Sequence, residues 1–226
     1  MSGPTGLATA EKLLAAGNFS ELKSLLIIDI PKSDLSWVSE CTSLEWLLIE
    51  ASSSNPVDIR KLKNLRRIEI NAKAAPSITG IEHLPKLDEI KLRSPKSEDL
   101  ARLGGNAKRL KVFGPPAEIL NFVQTETLEA LWVANARKAE VSVAGIASLR
   151  GLKELAFYSL SKGIINSYSL DSLNLLEKVQ FDNVTTVDDM GWLIRLPMLN
   201  DLYVSRPLPY SEDDHELLIH RGLVFW

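Results

Sequence analysis

An apolar residue, a second three positions later and a third two positions beyond that recur nine times along this chain. No other feature constrains its fold so tightly. The triplets are Leu22, Leu25, Ile27; Leu44, Leu47, Ile49; Leu65, Ile68, Ile70; Leu87, Ile90, Leu92; and Ala107, Leu110, Val112. They continue as Leu128, Leu131, Val133; Leu152, Leu155, Phe157; Leu176, Val179, Phe181; and Leu199, Leu202, Val204. Their first members stand 22, 21, 22, 20, 21, 24, 24 and 23 residues apart. A further apolar residue lies three positions earlier in seven units, at Phe19, Cys41, Leu62, Leu84, Leu149, Leu173 and Leu196, while Gly104 and Thr125 break the pattern. A strand this short cannot bury its own apolar face. Stacked copies give each leucine neighbours above and below, so the core becomes one continuous column. Alternation along each strand sends the triplet residues inward and those between them outward.

The composite is fullest in Ile78-x-x-Ile81-x-x-Leu84-Pro85-x-Leu87-x-x-Ile90-x-Leu92. Similar stretches run from Ile146 to Leu155 and from Leu193 to Leu202. Over residues 19 to 206 the chain resembles the leucine-rich-repeat family in its short, 22-residue form. The resemblance implies an α/β solenoid: a right-handed curved stack with a parallel sheet on the concave face and short 3₁₀ or irregular convex segments. Such proteins usually carry Asn or Cys eight residues after the first leucine. Here those positions are Ile30, Ser52, Lys73, Pro95, Pro115, Ala136, Leu160, Val184 and Pro207, so looser or unusual bends are expected.

A bare terminal repeat exposes core, so both ends need caps. Leu7 to Ala16 is helix-prone and stops before Gly17, which predicts an N-terminal capping helix within 1–18. Ser211, followed by Glu212, Asp213 and Asp214, reads as a helix start. That helix should end near Gly222, with Leu223 to Phe225 as a closing strand. The expectation is a single domain over 1–226, with nine repeats over 19–206 and the C-terminal helix and strand over 207–226.

Composition narrows the function classes. Apolar residues are 45% and charged residues 24%, which is globular, and the net charge of −3 argues against a dedicated nucleic-acid binder. One cysteine, Cys41, excludes an internal disulfide framework and fits a reducing compartment. No signal-peptide pattern opens the sequence, and no apolar run approaches the ~20 residues of a membrane span. A cytoplasmic protein without membrane association is expected.

Chemical motifs are weak. His215-Glu216 and His220 form H-E-x-x-x-H, and histidines five apart do not share a helix face, so no metal site is expected. Cys41 stands at a repeat position and reads as a buried hydrophobe. No triad surrounds His83. Gly104-Gly105 lacks a phosphate-loop context and reads as a turn. Glu98-Asp99 and Asp188-Asp189 read as exposed acids that start turns. The basic run Arg60 to Arg67 surrounds the repeat positions Leu62 and Leu65 and reads as a solvated return segment. Neither a cofactor nor catalysis is expected.

Function is therefore sought at the outward strand positions. They carry aromatics at Trp46, Phe113, Trp132, Tyr158 and Tyr203, residue types enriched at interface hot spots. Arg67, Lys91, Arg93, Arg109 and Lys111 gather in the third to fifth units, and Glu154, Asp182 and Asp201 in the seventh to ninth. Such segregation can orient a charged partner, or it can be cross-strand pairing, as of Glu69 with Lys91. These ten basic and aromatic residues are the candidate partner-binding set. The family resemblance implies a monomeric, non-catalytic module that binds another protein on its sheet face, as an inhibitor, an adaptor or an immunity protein. The alternative is nucleic-acid or ribonucleoprotein binding through the central basic strip, marked by strong salt dependence.

Overall fold

The computed structural model describes residues 19–28, 32–123, 126–205, 216 and 218–220. The strands in chain order are β1 (Ser24–Ile27), β2 (Trp46–Ile49), β3 (Val57–Asp58), β4 (Arg67–Asn71), β5 (Ile78–Thr79), β6 (Glu89–Arg93) and β7 (Arg109–Phe113). They continue as β8 (Ala130–Ala134), β9 (Val141–Ser142), β10 (Glu154–Leu160), β11 (Ile164–Ile165), β12 (Lys178–Val184) and β13 (Asp201–Val204). Nine of them, one per predicted unit, form a single sheet in the order β1-β2-β4-β6-β7-β8-β10-β12-β13. Every pairing in it is parallel. Leu25, Leu47, Ile68, Ile90, Leu110, Leu131, Leu155, Val179 and Leu202 stand in one register row. The fold is an α/β solenoid of leucine-rich-repeat type.

Burial explains why this pattern folds this way. Every triplet residue except Leu22 is buried, and Leu22 packs partly against the same column. The opposite side is built from short 3₁₀ turns, such as Ser36–Glu40, Ile81–His83, Ala144–Ser148 and Ser167–Ser172, and two small parallel pairs, β3 with β5 and β9 with β11. Two return segments are α-helical, α1 (Ser97–Leu103) and α2 (Trp192–Arg195). Trp192 is fully buried, edge-on to Phe181 at 6.4 Å, and Phe181 stacks on Phe157 at 5.6 Å.

Three expectations need correction. The bends after five of the strands are regular rather than loose, while Ala51 and Ala72, at the equivalent place in the second and third units, do not share their conformation. Ser94, Gly114, Asn135, Ser159 and Asn183 each adopt positive φ, and each stands seven residues after its unit's first apolar residue. The left-handed residue turns the chain, one position before the place where the family's Asn would stand. Gly104-Gly105 is not a plain turn but a buried 3₁₀ segment, Gly104–Asn106, that continues α1. A Cβ at Gly104 would lie 2.5 Å from the Phe122 ring and 2.7 Å from Leu110. Phe122, reaching back from the next unit, thus occupies the space of the missing apolar side chain. Asp99, finally, is buried rather than exposed and lies 3.5 Å from Arg102.

Asp188 has a structural duty that the sequence did not reveal. Its carboxylate accepts the backbone N–H groups of Asn166 (2.6 Å) and Ser167 (3.1 Å) and the Ser167 hydroxyl (2.5 Å). It caps the preceding unit's 3₁₀ turn from the next unit. Burial raises its pKa, but the bonds from Ser167 and Asn166 outweigh that and leave it below the ordinary value of 3.8. The sign follows: the contribution is complete above the unfolded pKa and is lost as pH falls through the lower folded value. Asp188→Ala is expected to cost about 1 kcal/mol at neutral pH. The difference from wild type should shrink in strong acid, as read by chemical denaturation at pH 7 and pH 2.

Among the described residues, Glu216 and 218–220 are helical, inside the predicted C-terminal helix, and Leu218 is buried. The N-terminal helix, the capping position Ser211, His215 and the closing strand lie outside the described residues.

Candidate functional site

The outward positions align in three rows across the sheet. The first reads Ser24, Trp46, Arg67, Glu89, Arg109, Ala130, Glu154, Lys178 and Asp201. The second reads Leu26, Leu48, Glu69, Lys91, Lys111, Trp132, Ala156, Gln180 and Tyr203. The third holds Asn71, Arg93, Phe113, Ala134, Tyr158 and Asp182. Not all of these positions are exposed. Leu48, Glu69, Glu89, Ala130, Ala134 and Ala156 are buried beneath larger neighbours.

The central basic strip is internally matched. Glu69 lies 3.1 Å from Lys91 and also pairs with Arg93, which reaches toward Glu50 at 3.9 Å. Glu89 pairs with Lys111 at 2.8 Å and Arg67 at 3.4 Å. Arg109 pairs with Asp88, whose hydrogen bond raises the Arg109 pKa. Long basic side chains arch over shorter carboxylates, so each buried acid serves two cations. In the return-side basic run Arg60 pairs with Asp58, Lys61 pairs with Glu40 at 2.8 Å, and Lys63 donates to the His83 carbonyl.

The acidic half differs. Lys178 pairs with Asp201 at 3.0 Å, whose hydrogen bond raises the Lys178 pKa. Among the described residues no cation lies within ion-pair distance of Glu154 or Asp182. Glu154 instead accepts the Trp132 indole N–H at 2.8 Å.

Between the two halves lies an aromatic cleft of about 370 Å³, lined by Lys111, Phe113, Trp132, Ala134, Asn135 and Tyr158. Each wall is fixed. The Lys111 ammonium, held by Glu89, sits 4.2 Å from the Trp132 ring centre. Lys91 stands over Phe113 at 5.0 Å. Tyr158 donates its hydroxyl to Gln180 at 2.6 Å, and its pKa is raised by burial first, then by Glu154 and Asp182. Asn135, in the left-handed conformation, forms the lip and donates its N–H to the Tyr158 carbonyl at 2.9 Å. A larger cavity, about 460 Å³, opens beyond Asn135 at the bend, beside Gly114, Pro115, Arg137 and Lys138.

The predicted set is therefore partly gathered. Lys111, Phe113, Trp132 and Tyr158 share one cleft, with Lys91 and Arg93 beside it. Arg67 and Arg109 are tied into ion pairs next door. Trp46 on β2 lies four strands from Trp132, and Tyr203 on β13 lies three, so neither reaches the cleft. Ala134 and Asn135 were missed. Ala134 is the small residue between two aromatics in the third row, a signal present in the sequence once the rows are drawn.

Among the described residues no group of three or more His, Cys, Asp or Glu is placed to hold a metal ion, and no helix is long and apolar enough to cross a membrane. His83 lies on the return side, 3.4 Å from Glu82. Cys41 is fully buried, and burial, reinforced by Glu40, raises its thiol to about 11. The thiolate is the reactive form. Native protein at pH 8 is therefore expected to leave Cys41 unmodified by a chromogenic disulfide reagent, with one equivalent reacting after denaturation. Rapid labelling of folded protein would contradict this.

The fold and this face define a leucine-rich-repeat solenoid with an aromatic cleft on its sheet. An internalin of Listeria monocytogenes superposes with a TM-score of 0.53 at 17% identity, over 87% of this chain and 57% of that one. That likeness shows the fold, and the chain spans only 57% of the internalin's length. Internalin C2 of the same organism gives 0.47 at 15% identity, over 79% and 80% of the two chains. A leucine-rich-repeat protein of Leptospira interrogans gives 0.45 at 16%, over 92% and 62%. No family model matches the chain, and no curated protein matches it in sequence.

Proposed function

We propose that this protein is a non-catalytic binding module that engages a protein partner on its sheet face, centred on the Trp132 cleft. The observation that supports this reading is the cleft itself: half-buried aromatics pinned by Glu154, Gln180 and Lys111 on a rigid sheet, at the border between matched and unmatched charge. Pinned aromatics lose little further rotamer freedom on binding, which favours them as anchors. Nine strands at about 4.8 Å give a face roughly 40 Å long, enough for the ~800 Å² that one side of a stable interface buries. Such a face can act by occlusion, as in an inhibitor or immunity protein, or by bridging, as in an adaptor. Lys91, Arg93, Arg109 and Lys111 each already lie in an ion pair, which favours this reading over nucleic-acid binding through the basic strip.

The test is partner capture on immobilised protein, beside a Trp132→Ala, Tyr158→Ala variant whose melting curve matches wild type. A protein retained by wild type and lost from the variant is the expected result. Equal retention by both would move the binding surface elsewhere.

A further inference from the structure

The Trp132 cleft does not end at its lip. Asn135 lines both the cleft and the bend cavity of about 460 Å³, so the two spaces share a wall. The cleft is the apolar one. Phe113, Ala134 and Tyr158 are register partners on β7, β8 and β10. The two ring-bearing strands are therefore two spacings apart, about 9.6 Å, with a methyl group as the floor between them. That is room for one apolar side chain between the rings.

Charge distinguishes the candidate guests. Three charged residues line the two spaces, and all are cations: Lys111 in the cleft, Arg137 and Lys138 in the bend cavity. Lys111 shares Glu89 with Arg67, so that group keeps one positive charge. Arg137 and Lys138 are exposed and have no ion-pair partner among the described residues. Their backbone is nonetheless fixed, because the Ser161 hydroxyl donates to the carbonyls of Ala136 at 3.2 Å and Arg137 at 3.3 Å. The acids near them stand outside both spaces. Glu118 and Glu140 line neither, Glu154 is the register partner of Lys178, and Asp182 lies beyond Tyr158 on β12.

A basic guest meets Lys111, Arg137 and Lys138 as like charges. A purely apolar guest fills the cleft and leaves Arg137 and Lys138 unmatched. A nucleic-acid strand offers a base to stack and a phosphate to pair, but it needs a track of free cations. Lys91, Arg93 and Arg109, which would continue such a track, are each already in an ion pair. A carboxylate beside an apolar side chain satisfies both spaces.

We propose that an acidic segment of the partner docks here, one apolar side chain entering between Phe113 and Tyr158 and a neighbouring carboxylate pairing with Arg137 and Lys138 across the Asn135 lip; this rests on the sheet-face reading above.

The probe is a displayed library of random heptapeptides, panned on wild-type protein. The best sequence is then synthesised with its acidic residues kept or replaced by their amides. Affinities are measured by fluorescence anisotropy on wild type, on the double variant Arg137→Gln, Lys138→Gln, and on Ala134→Leu, which plugs the cleft. Trp132→Ala takes the place of Ala134→Leu should that variant fail to fold. The expected result is enrichment of peptides that carry an acidic residue close to an apolar one. The amide version should bind wild type about tenfold more weakly, the double variant should lose a similar factor, and Ala134→Leu should lose binding altogether. The two charge losses should not add, so the amide peptide should bind wild type and the double variant alike. Enriched peptides without acids that are indifferent to the double variant but lost on Ala134→Leu would overturn the acidic assignment and leave the sheet-face reading standing. Peptides indifferent to every variant would overturn both. A panning that enriches no acid-bearing sequence overturns the assignment. So does an oligothymidylate single strand that binds more tightly than the best peptide and is lost on the double variant.

Discussion

Leu131→Asp is expected to lower the melting temperature by about 10–20 °C, corresponding to roughly 5 kcal/mol in a chain of this size. Leu131 is fully buried on β8, in register with Leu110 and Leu155, and so lies near the middle of the column. The substitution removes an apolar side chain and puts a carboxyl where no donor or cation waits. Stability in a stacked array is carried by contacts between neighbouring units, so damage at the middle uncouples the two halves. Tyr203→Asp is the control. Tyr203 is outward and 38% exposed, and the same charge there should shift the melting temperature by only a few degrees. Circular dichroism melts of the two variants check the register directly, because a one-residue error would exchange their effects.

The second large effect concerns binding rather than folding. Trp132→Ala with Tyr158→Ala should weaken partner affinity about hundredfold, or roughly 2.7 kcal/mol, while the melting temperature changes little. Both side chains are half-exposed and lie outside the apolar column. Their loss opens the back and one wall of the cleft and releases Glu154, Gln180 and Lys111 from the contacts that hold them. Isothermal titration with the recovered partner measures the change. A loss below threefold would show that the aromatics contribute contact area without acting as anchors.

Much of the architecture was legible because the apolar period is dictated by burial. A residue such as Leu155 or Phe181 has one place to go once copies stack, so period and register follow from residue type alone. Three features escaped because they depend on pairs of residues from different units. Gly104 looked like a break in the pattern, yet Phe122 fills its space. Asp188 looked like a surface acid, yet it caps the turn at Ser167. The basic strip could be read as a field that orients a partner or as cross-strand pairing, and only the structure shows Glu69 and Glu89 beneath it, each serving two cations. Sequence states which charges are present, whereas side-chain length and reach decide which are matched. The bends are a further case: Ser94, Ser159 and Asn183 adopt the left-handed conformation without forming the asparagine ladder that a sequence reader looks for. For the cleft, the aromatics Phe113, Trp132 and Tyr158 were readable as outward residues. Its floor was not, because an alanine signals nothing until its neighbours in the row are known.

Tyr203 on the sheet and Tyr168 on the return side are both exposed tyrosines, on opposite sides of the solenoid. Replacing each in turn by a photoreactive benzophenone amino acid and irradiating the complex with the captured partner tests the central claim most directly. The sheet-face account predicts a cross-linked product from the Tyr203 position and none from the Tyr168 position. Cross-linking from the Tyr168 position alone would contradict it and assign binding to the return side.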